Sequence, residues 1–361
     1  SGCSRSAHGD EDAGQARSSV PPVASTARIG GFKEKEMRNG IAAVVATVMA
    51  AIWAGCGGQG APAPDQKPAA KTYRIAFSQC NSAEPYRTAQ NNIMKRDIAK
   101  YPDCTLTIQD AQQDNARQIA QIENFIQQGV DVLIVAPNEA APLTAVVKKA
   151  KEKGIKVVCL ERNLLEPVYD IFVGADNVKI GELAGQFVAE YVAGKGIQAP
   201  VVVEMKGLLG TKPQEERHNG ARKHIDSIPG VKVIEDVAGW IQSESLKRME
   251  TILQANPKID VVYAHNDPMA VGAYWAAKNA GREKDMIFVG VDALGGPDGG
   301  IKRVLDGMLA CTFYYPTCAA EGLEYAVKLA HGEQVPKEMI LEPARITKEN
   351  AQEWYDKVTV Q

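Results

Sequence analysis

The sequence predicts an α/β fold of two doubly wound parallel-sheet lobes that are joined by a three-segment hinge. From residue 71 onward, short runs rich in Val, Ile and Leu alternate with longer helical patterns, as expected when helices cover both faces of a parallel sheet. The same alternation restarts after Asp176–Lys195, which indicates two lobes instead of one large sheet. Polar residues follow the apolar strands directly, at the edge where open parallel sheets bind ligands.

The first lobe is predicted from four strands and the helices between them. The strands are Tyr73–Ser78, Leu106–Asp110, Val132–Val135 and Lys156–Leu160. The helices are Arg87–Tyr101, Asn115–Gln128 and Pro142–Lys153, and Asp176–Lys195 then leads into the second lobe. These strand runs are short and apolar, whereas the helical segments are longer and mixed in polarity.

The second lobe is predicted to repeat this arrangement. Its strands are Val201–Met205, Val231–Val237, Val261–Ala264 and Ile287–Val291, and its helices are Pro213–Asp226, Gln242–Ala255 and Pro268–Gly281. Hinge crossings are expected near Gly174–Asp176, Tyr314–Pro316 and Ile340–Glu342. The N-terminal lobe is therefore assigned to residues 72–174 plus 316–340, and the C-terminal lobe to residues 175–315 plus 341–361.

The beginning of the chain is predicted to direct export instead of folding. Met37-Arg38-Asn39 precedes the apolar run Ile41–Ala54, which is followed by Gly55-Cys56. A short basic start, about 7–15 apolar residues and small residues before a cleavage site are typical of a secretory signal. A transmembrane helix is the alternative, but it needs about 20 apolar residues and this run is shorter.

This region is divided into three predicted segments. Residues 1–36 are expected to be a non-native leader upstream of a true start at Met37, or a disordered segment. Residues 37–55 form a lipoprotein signal peptide, because Trp53-Ala54-Gly55-Cys56 resembles the bacterial signal whose cysteine is lipidated. Residues 56–71, rich in Gly, Ala and Pro, form a flexible tether. We expect a periplasmic or cell-surface protein anchored in the membrane through Cys56, with export without lipid as the alternative.

Apart from Cys3 in the leader and Cys56, the cysteines of the chain predict free thiols. They are Cys80, Cys104, Cys159, Cys311 and Cys318, and none is in a CxxC pair. Mostly buried free thiols are expected, with a Cys311–Cys318 bridge as the alternative. No metal and no cofactor is predicted.

Six segments of the chain carry a family resemblance. They are Ile75–Gln79, Leu160–Arg162, Gly174–Asn177, Gly210-Thr211 with Arg217, Tyr263–Asp267 and Val289–Asp292. In this order they resemble the ribose- and galactofuranose-binding proteins of the type I periplasmic binding protein class, which supply ABC sugar transporters. The resemblance covers about Tyr73–Leu341. It implies a monomer that binds a small sugar and contacts an ABC transporter permease. The sugar is expected to be a pentose or a hexose, in either its pyranose or its furanose form.

The resemblance also implies a set of nine ligand-binding residues. They are Tyr86, Arg87, Glu161, Arg162, Arg217, Trp240, Asn266, Asp292 and Tyr315. Tyr86 and Trp240 match aromatic residues that cover the sugar ring from opposite sides. Carboxylates accept hydrogen bonds from sugar hydroxyls, while Arg and Asn donate them. Glu161 stands where most relatives have Asp, and Tyr315 or its neighbour Tyr314 replaces a hinge Gln, which argues against plain ribose.

Several of these residues have a structural alternative. Trp240 is alternatively a surface or core aromatic, Tyr86 a cap of the first helix, and Arg217 a solvated helix charge. Asp292 is the residue least expected to be structural. His265 is expected to lie in a loop or to support the site from behind, without contacting the ligand.

Three rival functions follow from the same features. A sugar hydrolase needs two carboxylates about 5–10 Å apart, which Glu161 and Asp292 could mimic, but the sequence has no nucleophile elbow, HExxH or Walker loop. A lactose-repressor-type regulator needs an N-terminal helix-turn-helix, where this chain has the signal and tether. The net charge of −3 likewise gives no basic field, so no nucleic-acid partner is predicted. A ligand-sensing subunit for a chemoreceptor or sensor kinase is not separable from a transport protein by sequence.

Overall fold

The computed structural model describes residues 71–359. The predicted leader, the signal peptide, Cys56 and all but the last residue of the tether lie outside the described residues. Within the described part the strands form two six-stranded sheets. Among these residues, no helix combines the length and apolar character that crossing a membrane requires.

Strands and helices alternate along most of the described chain. The strands are β1 (Tyr73–Gln79), β2 (Cys104–Asp110), β3 (Val132–Val135), β4 (Lys156–Leu160), β5 (Ile171–Ala175), β6 (Val201–Lys206), β7 (Lys232–Val237), β8 (Val261–Ala264), β9 (Ile287–Val289), β10 (Cys311–Tyr314), β11 (Glu338–Leu341) and β12 (Ala344–Thr347). The helices are α1 (Pro85–Asp97), α2 (Asn115–Gln128), α3 (Ala140–Glu152), α4 (Asn177–Gly194), α5 (Lys212–Ile225), α6 (Gln242–Ala255), α7 (Asp267–Asn279), α8 (Gly300–Leu305), α9 (Ala319–Ala330) and α10 (Ala351–Thr359).

The two sheets have matching strand orders, which confirms the predicted fold class. The first is β11-β5-β4-β3-β1-β2 and the second is β12-β10-β9-β8-β6-β7. In each sheet the order reverses between two neighbouring strands, β1 and β3 in the first and β6 and β8 in the second. Such a switch point opens a crevice at the carboxyl ends of the strands.

Helices bury both faces of each sheet, as the apolar strands require. On β1, Ile75 and Phe77 pack towards α1 and α9, whereas Ala76 between them packs towards α2 and α3. In the second lobe, α4 and α5 cover one face, while α6, α7, α8 and α10 cover the other. The sheets are thereby held rigid, and their carboxyl edges are left to carry polar side chains.

One strand departs from the predicted all-parallel sheets. β12 runs antiparallel to β10, with Cys311 opposite Thr347. The chain leaves β11 at the carboxyl edge of the first sheet and reaches β12 two residues later. It therefore enters the second sheet at its carboxyl edge and has to run against the other strands.

The predicted elements exist, with small shifts at their ends. The first helix begins at Pro85 and ends at Asp97, where a 3₁₀ turn over Ile98–Lys100 follows. β9 ends two residues early because Gly290 interrupts it. A Cβ at that glycine would lie 2.2 Å from the Asp267 carboxylate. The prediction omits α8, α9 and α10.

Three connections join the sheets in the described part of the chain. They follow Ala175, Tyr314 and Leu341, at the carboxyl edge of each sheet. All five cysteines of this part are free and buried, so the Cys311–Cys318 bridge is wrong and the expectation of buried thiols is confirmed.

Candidate functional site

The carboxyl edges of the two sheets face one another across a small pocket that, with the solvent space at its opening, contains about 260 Å³ free of protein atoms. Its lining includes all nine residues that the sequence singles out, together with two others, Glu84 and Pro213. Arg162 comes from the first lobe, and Asn266 and Asp292 come from the second. The structure therefore brings residues from both lobes into one pocket.

The first lobe contributes a buried ion pair. Tyr86 and Arg87 occupy the first turn of α1, and Glu161 directly follows β4. Arg87 Nη2 lies 2.6 Å from Glu161 Oε2, although the angle is not that of a hydrogen bond. Arg162 Nε lies 3.6 Å from the same oxygen, and Arg162 Nη1 donates to the Asn138 carbonyl at 3.1 Å. Two guanidinium groups therefore flank one carboxylate.

These neighbours keep Glu161 ionised. Burial alone would raise the pKa of Glu161, but Arg87, Arg162 and the Tyr315 hydroxyl together hold the pKa below its ordinary value. The carboxylate is then available as a charged acceptor, which forms stronger hydrogen bonds than a neutral one.

The connection after β10 places Tyr315 between the lobes. Its hydroxyl donates to Glu161 Oε1 at 2.8 Å. Its ring stacks on Tyr86, with centroids 5.3 Å apart and an angle of 16° between the planes. The Tyr86 hydroxyl in turn donates to the Pro316 carbonyl at 2.6 Å. Tyr86 thus lines the cavity and also contacts the hinge.

The second lobe contributes Arg217, which α5 directs inward. Arg217 is 2% exposed, so it is not a solvated helix charge. Its Nε donates to Asn177 Oδ1 at 2.9 Å, and its Nη1 donates to the His265 carbonyl at 2.6 Å. Its guanidinium also lies 4.4 Å from the Tyr315 ring centroid. These contacts fix Arg217 in the cavity wall.

Asn266 and Trp240 are held to one another at the start of α7. Asn266 caps this helix by accepting from the Met269 N–H, and its amide donates to the Trp240 carbonyl at 3.1 Å. The guanidinium groups of Arg162 and Arg217 each lie 5.7 Å from the centroid of the Trp240 ring. Gly207 permits this position, since a Cβ there would lie 2.2 Å from the ring.

Two polar groups in the wall of the pocket have few or no partners among the described residues. Trp240 Nε1 is buried without a hydrogen-bond partner. The closest cation to Asp292 Oδ1 is Arg217 Nη1, at 4.0 Å. Burial raises the pKa of Asp292 well above its ordinary value, and Arg217 opposes this only in part. A buried carboxylate with so little compensation is expensive for the fold, so its presence favours a functional role.

Three site residues also have unusual backbone geometry. Glu161, Trp240 and Asp292 have φ angles of 64°, 75° and 117°, in the region that favours glycine. Non-glycine residues held there cost about 1–3 kcal/mol each and concentrate at functional sites. The backbone is fixed by hydrogen bonds, such as those from Glu161 N to Val173 O and from Asp292 N to Phe313 O.

His265 lies behind the site, as expected. It is fully buried and does not line the cavity, and its carbonyl positions Arg217. The sequence reasoning missed Glu84 and Pro213, which line the cavity, and Asn177, which joins Arg217 to the hinge. Asn177 Nδ2 lies 3.4 Å from the Tyr315 hydroxyl. Asn177 follows β5 closely, so the rule that identified the other polar residues could have found it.

The site is built for recognition of hydroxyl groups. Its described lining offers carboxylates as acceptors, guanidinium and amide groups as donors, and aromatic faces. It contains no serine, cysteine, histidine or lysine that could act as a nucleophile or general base. This combination fits a small polyhydroxylated ring with both polar edges and apolar C–H faces.

Comparisons with known proteins agree with this description. A family described as the periplasmic binding protein domain matches residues 75–333. The ribose import binding protein of Bacillus subtilis is 31% identical over 269 residues, which cover 74% of this chain and 85% of that protein. The galactofuranose-binding protein of Escherichia coli is 34% identical over 242 residues, covering 64% of this chain and 74% of that protein.

A solved structure of a periplasmic sugar-binding domain is also similar to this chain. The fructose-binding periplasmic domain of a hybrid two-component system superimposes with a TM-score of 0.75 at 38% identity, covering 80% of this chain and 95% of that one. The chain belongs to the periplasmic binding protein family.

Proposed function

We propose that this protein captures a small sugar between its two lobes and delivers it to an ABC transporter permease, without changing it chemically. The observation that carries the proposal is the cavity lined by polar and aromatic side chains from both lobes and the hinge. The protein is exported and held at the membrane by lipid on Cys56, and the segment 56–71 acts as its tether. No cofactor takes part.

The chemistry of the cavity supports a sugar over other small solutes. A hydroxyl group donates and accepts at once, so its site needs both kinds of partner. Glu161 and Asp292 supply acceptors, while Arg162 and Asn266 supply donors. Tyr86 and Trp240 supply the aromatic faces that cover a ring.

Three of the relatives support a pentose or a hexose as the ligand. Two of them are named for ribose and galactofuranose, and a third for fructose. Tyr315 hydrogen-bonds Glu161 and stacks on Tyr86, so it occupies the hinge side of the cavity and limits the size of the ring. A compact furanose fits this restriction best.

Binding is coupled to closure of the lobes. Hinge closure around a ligand is the established behaviour of periplasmic binding proteins. Here the Ala140 N–H of the first lobe lies 3.5 Å from the Gly210 carbonyl of the second, and Arg162 contacts Trp240 across the gap. A sugar that binds Glu161 and Asp292 at once favours the closed state by its difference in affinity for the two states.

The proposal is tested by a thermal-shift screen of the chain that begins at Cys56. The panel contains D-ribose, L-arabinose, D-xylose, D-galactose, D-fructose and myo-inositol. At least one sugar should raise the melting temperature, because a ligand present at about 100 times its Kd stabilises the folded state by about 2.7 kcal/mol. Product analysis of the same mixtures should recover the sugar unchanged.

Two variants locate the binding site. Asp292→Ala and Arg162→Ala should fold and lose the sugar response, because each removes a hydrogen-bonding group from one lobe. Lys258→Ala is the matched control, since its ammonium group lies far from the cavity lining and pairs with Asp260. A sugar response that persists in both cavity variants would contradict the proposal.

A second candidate function is ligand sensing for a chemoreceptor or sensor kinase. It is favoured by the similarity to a periplasmic domain of a hybrid two-component system. The two functions predict different phenotypes for a deletion of the gene. Loss of radiolabelled sugar uptake with normal sugar-induced transcription supports transport, and the reverse supports sensing.

A further inference from the structure

We propose that Asp103, Cys104 and His331 form a zinc site at the end of the first lobe opposite the cavity. Their ligand atoms, one from each residue, all lie within 4.8 Å of one another. Asp103 directly precedes β2 and Cys104 begins it, whereas His331 follows α9. His331 lies 228 positions from Asp103 in the sequence, so the cluster cannot be recognised from a sequence motif.

The geometry is close to that of a bound ion. His331 Nε2 lies 2.8 Å from Asp103 Oδ2, and Cys104 Sγ lies 3.7 Å from Asp103 Oδ1. Around tetrahedral zinc, neighbouring nitrogen and oxygen ligands are about 3.3 Å apart, given bonds of about 2.0 Å. An outward shift of about half an ångström between Asp103 and His331 admits the ion. Both side chains are one-third or more exposed, so this shift meets little resistance.

The three groups are held in place by their surroundings. Cys104 is buried against the core of the first lobe, and its N–H donates to the Tyr101 carbonyl. The Asp103 carbonyl accepts from the Tyr73 N–H at 2.8 Å. The Tyr73 ring packs edge-on against His331, with centroids 5.0 Å apart. Such prior positioning reduces the conformational entropy lost when the ion binds.

The donor set selects the metal. One thiolate, one imidazole and one carboxylate suit zinc, whereas magnesium and calcium prefer oxygen ligands alone. Three protein ligands leave the fourth position for water. Binding displaces the proton of the Cys104 thiol, so the ion has to compete with it.

A second cluster of residues of the kind that bind metals is less suited to a metal ion, because cations of the protein already pair with it. Glu204, His218 and Glu235 also lie within reach of one another. However, Lys206 Nζ is 2.6 Å from Glu235, and Arg222 Nη1 is 3.0 Å from the same carboxylate. The cations of the protein already neutralise that cluster. At the proposed site the ion pair of Asp103 is with His331, which is itself a ligand.

The site is remote from the sugar cavity. Tyr73 pairs with Cys104 at the amino ends of β1 and β2, and the cavity lies beyond their carboxyl ends. Seven residues of strand separate the two ends by about 20 Å. Zinc therefore does not compete with the sugar, and the inference stands independently of the proposed function.

The test uses the untagged chain with Cys3→Ser and Cys56→Ser, so that thiols outside the described residues do not contribute. Zinc affinity is measured against a chromophoric chelator, and cobalt(II) is bound as a spectroscopic probe. We expect one zinc per chain, and a thiolate-to-cobalt charge-transfer band in the near ultraviolet. His331→Gln should weaken zinc binding about 100-fold, since loss of even an outer-shell partner costs about 10–100-fold.

Cys104→Ser should abolish the charge-transfer band, and His224→Gln is the matched control that should change neither readout. His331 is a surface residue, so the His331→Gln variant remains folded and the test does not depend on Cys104→Ser. Equal zinc binding by the parent and His331→Gln, or a cobalt complex without the thiolate band, would overturn the inference. Loss of binding in His218→Gln alone would assign the ion to the other cluster and also overturn it.

Discussion

Two carboxylates in the second lobe, Glu204 and Asp292, are both buried but have opposite surroundings. Glu204 Oε1 receives hydrogen bonds from two imidazoles, those of His218 at 2.8 Å and His265 at 3.0 Å. Arg222 Nη1 lies 3.6 Å from its other oxygen. For Asp292, the one ion pair within residues 71–359 is with the Arg217 guanidinium, 4.0 Å away.

The pKa values follow the partners. Burial raises the pKa of both carboxylates, but the two imidazoles outweigh burial at Glu204 and lower its pKa to about 2. At Asp292 burial dominates, and the pKa rises well above its ordinary value. We infer that Glu204 is a structural charge paired within the fold, although its Oε2 has no hydrogen-bond partner there, whereas Asp292 is completed by a ligand.

The largest effect is expected from Glu204→Gln. An amide keeps the shape but removes the charge that His218, His265 and Arg222 surround. Breaking a buried pair by removing one partner costs about 3–5 kcal/mol. We expect the free energy of unfolding in urea to fall by about 3 kcal/mol while the sugar response of the folded protein remains. A loss below about 1 kcal/mol would show that this network is not a structural charge cluster.

The pH dependence of this loss is the next prediction. Because the pKa of Glu204 is lowered in the folded protein, its contribution is complete above the unfolded value of 4.5 and disappears as the pH falls towards about 2. The difference in unfolding free energy between the parent and Glu204→Gln should shrink by about 1 kcal/mol from pH 7 to pH 3.5. If the difference in unfolding free energy grew from pH 7 to pH 3.5, the pKa of Glu204 would be raised in the folded protein and not lowered.

Asp292→Asn should act in the opposite direction. The raised pKa means that the ionised Asp292 destabilises the empty protein as the pH rises above the ordinary value of 3.8. The neutral amide should therefore increase the free energy of unfolding by about 1 kcal/mol at pH 7 and have no effect below pH 3.8. Sugar affinity should fall at the same time. A variant that is less stable at pH 7 would mean that Asp292 is structural.

The smallest effect is expected from Tyr315→Phe. The substitution removes the hydrogen bond to Glu161 but keeps the ring that stacks on Tyr86. A hydrogen bond to a charged group contributes about 1.5–3 kcal/mol, but this one positions Glu161 and is not made to the sugar, so calorimetry should show affinity reduced only about threefold. An unchanged affinity would exclude the Tyr315 hydroxyl from organising the site.

The contrast between the ligand site and the network around Glu204 also explains which residues could be predicted from the sequence. Glu161, Arg162 and Asp292 each follow an apolar strand in the sequence, and the family resemblance assigned them to the ligand site. The network around Glu204 joins β6, α5 and the residue after β8, so its partners are neighbours only in the folded chain. A polar residue inside the Val-rich β6 gives no local signal of what pairs with it.

The fold was predictable to a similar degree. The alternation of strands and helices identified both sheets because most of the apolar runs are buried, although the edge strands β2 and β7 are partly exposed. The direction of β12 was not predictable from periodicity, since it depends on the edge at which the chain enters the second sheet. Helix α8 was missed because it is short and lies among glycines.

A crystal structure of the chain with the sugar that gives the largest thermal shift tests the account most directly. The account predicts that the ring lies between Tyr86 and Trp240, with hydroxyl groups within hydrogen-bonding distance of both Arg162 and Asp292. A sugar bound elsewhere, or contacted by side chains from one lobe only, would contradict it.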